Sequence, residues 1–153
     1  MIIIANSSPI INLSKIDCLF LIEKIYKQIF IPDAVYEEII IQGKEKEHTD
    51  KIIKLIDKKI ITVDKINDIP LMKALNRELD KGESEAICLA IEKNADLILL
   101  DELEARETAD IYQLNKTGFI GILIKAKKSG LINNLKDYLE LAISKGFWVD
   151  KNL

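Results

Sequence analysis

Short apolar runs alternate with longer amphipathic stretches along most of this chain. Four runs, at 1–5, 28–31, 59–63 and 97–100, have the length and continuous hydrophobicity of buried parallel strands. A weaker fifth strand is predicted at 114–117. Strands that alternate with helices are typical of a parallel sheet covered by helices on both faces. The pattern therefore predicts an α/β fold.

The helices predicted between these strands follow from apolar positions at helical spacing and from their end signals. Ser8 is predicted to cap a first helix that begins at Pro9. The segment Asp80–Gly82 is predicted to end the helix at 70–79, before a central helix at 83–93. Phe147, Trp148 and Val149 are expected to pack the tail against the body of the protein. The other predicted helices are 19–26, 33–41, 45–57, 70–79, 83–93, 102–112, 118–128 and 134–144.

The composition narrows the class of protein. The 153 residues predict a single domain, 1–153, and the net charge of −3 provides no general basic field. Nucleic-acid binding would therefore need a local patch or metal ions. Two cysteines and one histidine, His48, argue against a structural zinc site. Neither a signal peptide nor a membrane-spanning run is recognisable, so a cytoplasmic protein without membrane contact is expected.

Polar side chains follow the predicted strands or begin the next helices. Because ligands of open α/β sheets bind at the carboxyl ends of the strands, these side chains are expected to meet at one edge. Ligation by oxygen alone suits Mg²⁺ or Mn²⁺. The residues are Asn6, Ser7 and Ser8 after the first strand, Glu37 and Glu38 after the second, Glu83 and Glu85 in the central helix, and Asp101, Glu102 and Glu104 after the fourth strand.

Each of these features also has a structural explanation. Acids in the first turn of a helix stabilise its dipole without any metal. Arg106 is suited to holding a phosphate or pairing with an acid, and equally to a surface salt bridge. Lysines 125, 127 and 128 are suited to phosphate contacts or to compensating a helix C-terminus. A nucleotide site of the P-loop or dinucleotide type is disfavoured, because no glycine follows the first strand.

Five segments in order give the chain a resemblance to the PIN domain family, and especially to its prokaryotic group related to VapC-type toxin ribonucleases. The segments are NSSP, IPDAVYEEI, GESEAICLA, LILLDELEAR and GFIGILIKAKKSGLI. The resemblance implies a three-layer α/β/α fold with a central parallel sheet of four to five strands. It also implies an endoribonuclease that depends on Mg²⁺ or Mn²⁺, acts on RNA, and is the toxin of a toxin–antitoxin pair. An antitoxin partner and a homodimer are further expectations.

The same resemblance assigns the site residues. The family's acids fall on Asn6, Glu38, Glu83 and Asp101, which are expected to bind the metal and carry catalysis. Glu37 is the less favoured neighbour of Glu38. Glu85, about 200° around the helix from Glu83, is expected on the helix surface. The possible auxiliary residues are Ser8, Glu102, Glu104 and Arg106.

Asn6 is a departure from the family pattern, because active PIN nucleases usually carry Asp at this position. An amide offers a carbonyl oxygen to a metal but no charge, which weakens both metal affinity and the positioning of the attacking water. Two roles follow. The first is a metal-dependent endoribonuclease, and the alternative is a catalytically weakened PIN-like module that binds RNA or a partner protein.

Overall fold

A computed structural model describes residues 1–43 and 46–147 of the chain. Within these ranges, five parallel strands form one sheet in the order β3-β2-β1-β4-β5, with β1 at its centre. The middle residue of β1, Ile4, pairs with both neighbouring strands, because it lies opposite Phe30 on one side and Ile98 on the other. The strands are β1 Ile3–Ala5, β2 Ile29–Pro32, β3 Ile61–Asp64, β4 Leu97–Leu99 and β5 Lys116–Thr117.

Helices connect these strands and cover the sheet. Two π-helical turns also occur, at Ile22–Tyr26 and at Glu37–Ile41, and the second continues directly from α2. The helices are α1 Ser7–Lys15, α2 Asp33–Tyr36, α3 Lys46–Asp57, α4 Ile69–Leu75, α5 Lys81–Glu92, α6 Leu103–Ile111, α7 Phe119–Lys128 and α8 Leu135–Ser144. None of the helices in the described ranges has the length and apolar character needed to cross a membrane.

The strand pleat divides the core into two layers. In β1, Ile3 and Ala5 pack with residues of α1, α3, α7 and α8, while Ile4 packs with residues of α4, α5 and α6. Both faces of the sheet are therefore covered, which explains why its strands are apolar without alternation. The predicted three-layer α/β/α fold is confirmed.

The predicted elements exist, but several boundaries and turn types differ. The helix predicted at 33–41 widens into a π-helical turn at Glu37, a change that a pattern of period 3.6 does not reveal. The helix predicted at 70–79 ends at Leu75. Phe147 packs edge-on against Phe119, with ring centroids 4.8 Å apart. Trp148, Val149 and the predicted helix start at position 45 lie outside the described residues.

Candidate active site

The carboxyl ends of β1 and β4 lie side by side at the point where the sheet order reverses. The strands β2 and β3 lie on one side of β1 in the sheet, and β4 and β5 lie on the other side. The backbone N–H of Asn6 donates to the carbonyl oxygen of Leu99 at 3.0 Å, which fixes the residue after β1 against β4. Open α/β sheets bind ligands at such a reversal. We call this region the carboxyl edge and define it by Asn6, Ser7, Ser8, Glu38, Gly82, Asp101 and Glu102.

Asn6 lies at the centre of the carboxyl edge. Its side chain is buried, and its Nδ2 donates to Glu102 Oε2 at 3.4 Å. Its Oδ1 is also buried but has no hydrogen-bond partner among the described residues. Because a buried carbonyl oxygen without a partner costs about 1–3 kcal/mol, this atom points to a ligand. Asn6 is also the residue before α1, so the helix begins at Ser7, and the expected start at Pro9 was wrong.

The two serines after Asn6 hold two carboxylates. Ser7 Oγ donates to Glu38 Oε2 at 2.6 Å, and Ser8 Oγ donates to Glu102 Oε1 in a short hydrogen bond. Ser8 therefore does not cap α1, contrary to the sequence prediction, because its hydroxyl is directed across to the segment after β4. The first turn of α1 links the acid after β2 to the acid after β4.

Gly82 provides space for Glu38. A Cβ atom built on Gly82 would lie 2.0 Å from Glu38 Oε1 and 3.4 Å from Asn6 Oδ1. Only a residue without a side chain lets the Glu38 carboxylate approach α5 this closely, whereas the distance to the Asn6 amide is an ordinary van der Waals contact. Gly82 lies in the first turn of α5, which begins at Lys81, two residues before the predicted start at Glu83. The segment Asp80–Gly82 does not end the helix predicted at 70–79, because that helix already ends at Leu75.

Glu83 takes part in a capping box at the start of α5. Its backbone N–H donates to Asp80 Oδ1 at 2.7 Å, and its Oε1 accepts from the backbone N–H of Asp80 at 3.0 Å. The spacing Asp80-x-x-Glu83 is a sequence signature of this motif, so the N-cap could have been predicted at Asp80. Glu83 is buried, and one of its oxygens is already engaged by the backbone.

Asp101 joins the carboxyl edge to the start of α7. Its Oδ1 accepts from the backbone N–H of Phe119 at 2.7 Å, and its Oδ2 accepts from Asn12 Nδ2 at 3.3 Å. Arg106 donates to the carbonyl oxygen of Leu100 at 2.9 Å, which secures the end of β4. Burial raises the pKa of the Asp101 carboxyl, and the charge of Arg106 offsets only part of this rise. The pairing of Arg106 with an acid stays a prediction.

Glu102 is the carboxylate that links the other acids. Its negative charge raises the pKa of Glu38, Glu83 and Asp101, so it lies near all three. Its own carboxylate is held by Ser8 and Asn6. Glu104, by contrast, is exposed in the first turn of α6. Of the two possible auxiliary acids, the structure therefore brings Glu102 into the carboxyl edge.

Glu85 is buried and does not lie on the helix surface as predicted. Its Oε1 accepts from the backbone N–H of Ala34 at 3.1 Å, in the first turn of α2. The angular separation from Glu83 was correct, but the opposite side of α5 packs against α2 rather than against water. A carboxylate at a helix N-terminus is stabilised by the free N–H groups and the dipole. Glu85 thereby positions the helix that leads to Glu38.

Burial makes these acids harder to ionise than usual. It raises the pKa of Glu83 to about 7, with Asp80 and Glu102 adding repulsion. It also raises the pKa of Glu38, against the hydrogen bond from Ser7, and the pKa of Asp101, against the hydrogen bond from Phe119. The carboxyl edge therefore concentrates negative charge at a cost to the folded state, which a bound cation would reduce.

We expect the metal-free protein to lose stability between pH 5 and 8. The folded-state pKa of Glu83, about 7, exceeds its ordinary value of 4.5, so the folded protein keeps a proton that the unfolded chain has lost. Stability therefore falls as the pH rises through this window, by about 2–6 °C in melting temperature. Calorimetry in EDTA, compared with Glu83→Gln, measures this contribution. An equal pH slope in the two proteins would contradict it.

The acids are not gathered into a ready-made metal cage. Among the described residues, no three side chains of Asp, Glu, His or Cys lie close enough together to form a metal site. Glu83 and Asp101 direct oxygens to backbone N–H groups of α5 and α7. The side chains that do converge are Glu38 and Asn6, beside Gly82, with Glu102 hydrogen-bonded to Asn6.

The lysines of α7 lie away from the carboxyl edge. The helix starts at Phe119, beside Asp101, and its last turn lies about 9–14 Å further along the axis. Lys125 stacks on the ring of Tyr26, and Lys127 donates to the carbonyl oxygen of Asn133. Their positions fit the stabilisation of a helix C-terminus better than contact with a phosphate at the edge.

Comparisons with known proteins agree with the fold. The family model DUF3368, described as a PIN domain, matches residues 2–153. A solved structure of a PilT N-terminus domain protein, SSO1118, from the hyperthermophilic archaeon Sulfolobus solfataricus P2, is similar with a TM-score of 0.61 and 20% identity. The similarity covers 82% of this chain and 93% of that one. No match was found among curated proteins.

Proposed function

Because the chain belongs to the PIN domain family, we propose that it is a divalent-cation-dependent endoribonuclease that acts at the carboxyl edge. The observation that carries this proposal is the buried Oδ1 of Asn6, which has no partner in the described part of the chain. It lies beside the Glu38 carboxylate, and Gly82 leaves the space between them and α5 open. An amide oxygen next to a carboxylate is a donor set that suits Mg²⁺ or Mn²⁺.

The ion would be held by Asn6 and Glu38. Glu83 and Asp101 stay ligands predicted from the sequence, and each would have to turn an oxygen towards the ion in order to bind it. Each of these last two carboxylates retains lone pairs beyond those used by its hydrogen bonds. A divalent cation in such a site supplies positive charge that stabilises a phosphate under attack and lowers the pKa of a water. The pKa values of Glu38, Glu83 and Asp101 are all raised, as is expected of acids at a site that binds a cation.

The remaining residues of the edge orient these groups. Ser7 fixes the Glu38 carboxylate, and Ser8 and Asn6 fix the carboxylate of Glu102. Glu102 is exposed to solvent, and we propose that its carboxylate accepts a proton from the attacking water. Arg106 keeps the end of β4 and Asp101 in place, so its role is positioning.

The test of this proposal is metal-dependent cleavage of RNA. We expect cleavage of a single-stranded RNA in Mn²⁺ or Mg²⁺, loss of cleavage in EDTA, and a decrease of about 100-fold in Glu83→Gln and Asp101→Asn. These amides keep an oxygen that accepts the backbone hydrogen bonds, so the fold is retained while the charge is removed. Cleavage that continues unchanged in EDTA rules out the mechanism.

A second role is favoured by one observation, the neutral amide at Asn6. Without a charge at this position the edge binds a cation more weakly, which fits a weakened PIN-like module that binds RNA or a partner protein. Cleavage of RNA in Mn²⁺ distinguishes the two roles, because a binding module captures its ligand without cleaving any RNA. The toxin role, an antitoxin partner, a homodimer and a cytoplasmic location remain predictions from the sequence.

The variant Asn6→Asp tests how much the neutral amide at position 6 weakens cation binding. An aspartate here adds a negative charge and keeps the oxygen next to Glu38, so cation affinity is expected to increase about tenfold or more. The same change leaves the metal-free protein less stable, because it adds a buried charge to an acidic edge. Titration calorimetry with Mn²⁺ measures the affinity. An unchanged affinity would show that position 6 does not contact the ion.

A further inference from the structure

A cavity opens beside the carboxyl edge, on the side of the sheet covered by α1 and α3. Its volume is about 300 Å³, at the lower end of the range for small-ligand sites. The Glu38 side chain forms part of its wall, so the cavity adjoins the proposed cleavage site. The lining residues are Ile11, Ser14, Lys15, Glu38, Ile39, Gln42, Gly43, His48, Thr49 and Ile52.

The cavity combines an apolar floor with polar walls. Ile39 and Ile52 are fully buried, and Ile11 adds a half-buried side chain at the end nearer α1. Lys15 contributes a cation from the last turn of α1, and the exposed Gln42 contributes an amide from the end of the π-helical turn. A flat apolar ring with hydrogen-bonding edges, joined to a phosphate, matches this combination.

Gly43 keeps the cavity narrow and its wall fixed. A Cβ atom at this position would lie 2.2 Å from the carbonyl oxygen of Ile39 and 2.7 Å from Thr49 Oγ1. Gly43 is therefore packed directly on the preceding helical turn and on Thr49 of α3. Gln42, the residue before it, also lines the cavity, so its amide is available to the edge of a bound ring.

We propose that this cavity is a base-binding subsite for the RNA nucleotide next to the cleaved phosphodiester. Proteins that read RNA sequence bind the splayed bases of single strands and hydrogen-bond their edges. The aliphatic floor of this cavity would bury the faces of such a base from water. Glu38 joins the two parts of the site, because the residue belongs to the cavity wall and its carboxylate faces Asn6 and Gly82. Lys15 contacts the phosphate of the bound nucleotide and Gln42 contacts the base. This inference rests on the proposed ribonuclease function.

The first arm of the test does not depend on cleavage. Nucleoside 5′-monophosphates with each of the four bases are titrated in EDTA into the wild-type protein and three variants. Two variants, Gln42→Ala and Lys15→Met, alter the proposed subsite, and the third, Lys73→Met, is the control. Binding is followed by the methyl resonances of Ile11, Ile39 and Ile52. Lys73 is also a last-turn lysine but lies on α4, on the opposite face of the sheet. We expect at least one nucleotide to shift the floor methyls, with about tenfold weaker binding in Gln42→Ala and Lys15→Met and unchanged binding in Lys73→Met.

The second arm measures base preference during cleavage of a randomised RNA pool. Gln42→Ala is expected to relax the preference beside the cut at least threefold, while Lys73→Met keeps it. The proposed subsite is wrong if no nucleotide shifts the methyl resonances of the cavity floor and the base preference of Gln42→Ala is unchanged. This holds even if cleavage is robust. Nucleotide binding at the floor without any cleavage supports the base-binding cavity and instead counts against the proposed ribonuclease function.

Discussion

Glu38→Gln is expected to reduce metal-dependent RNA cleavage by about 100-fold or more while the protein stays folded. The glutamine keeps the shape of the side chain and an oxygen that can accept the hydrogen bond from Ser7. It removes the charge that lies beside the unpartnered Oδ1 of Asn6 and against Gly82. Affinity for Mn²⁺ should fall together with the cleavage rate, because the same carboxylate carries both.

The stability of this variant is expected to change in the opposite direction. Burial and the charges of Asp80 and Glu102 raise the pKa of Glu38, so its ionised form is a cost to the folded protein near neutral pH. Removing the charge should leave the free energy of unfolding in EDTA equal or higher. A trade of stability for function is common at active sites.

The neighbouring residue provides a matched control for this experiment. Glu37 belongs to the same π-helical turn but is exposed, so Glu37→Gln removes an equal charge one residue away. We expect cleavage and Mn²⁺ affinity within about twofold of wild type, since exposed charges are strongly screened. If Glu37→Gln and Glu38→Gln were equally impaired, the assignment of the metal ligand to Glu38 would be wrong.

Gly82→Ala is expected to reduce RNA cleavage strongly through a single methyl group. The new Cβ would lie 2.0 Å from Glu38 Oε1, so the carboxylate must move away from α5 and from Asn6. The atom displaced is the end of a flexible side chain, and alanine is favoured over glycine in a helix by about 1 kcal/mol. Cleavage should therefore fall about 10–100-fold or more with no loss of stability.

A second helical glycine distinguishes this effect from general crowding. Gly121 lies in the first turn of α7, and a Cβ there would lie 2.1 Å from Thr117 Oγ1. Gly121→Ala thus displaces a side-chain oxygen that is not part of the proposed site, and near-normal cleavage is expected when melting temperatures confirm folding. Full activity of Gly82→Ala would show that the Glu38 carboxylate does not need its present position.

The positions of the strands along the chain could be predicted from the sequence because most of the apolar runs are nearly continuous, whereas the order of the strands in the sheet was not predicted. The run 97–100 predicts β4, which is observed as Leu97–Leu99, and its last residue continues towards Asp101. Runs of this kind fix strand identity, but their ends depend on pairing with neighbours, so boundaries shift by one or two residues. The spacing of period 3.6 also predicted most helices, although not the π-helical turn that carries Glu38.

The candidate site was harder to predict, because side-chain partners are set by tertiary packing. Ser8 has the residue type of a helix cap, yet its hydroxyl is bonded to Glu102, 94 residues away. Glu85 was placed on the correct side of α5, but the sequence does not reveal that α2 occupies that side. The space at Gly82 depends on the approach of Glu38 from another helix, which leaves no local signal.

Manganese-soaked crystals provide the most direct test of the claim that the carboxyl edge binds a cation. The account predicts an anomalous density peak within coordination distance of Asn6 Oδ1 and the Glu38 carboxylate, and its loss in Glu38→Gln. The unpartnered Asn6 oxygen and the open space at Gly82 are the features that this ion would explain. No peak at this edge, at a Mn²⁺ concentration that saturates the protein in solution, would contradict the account.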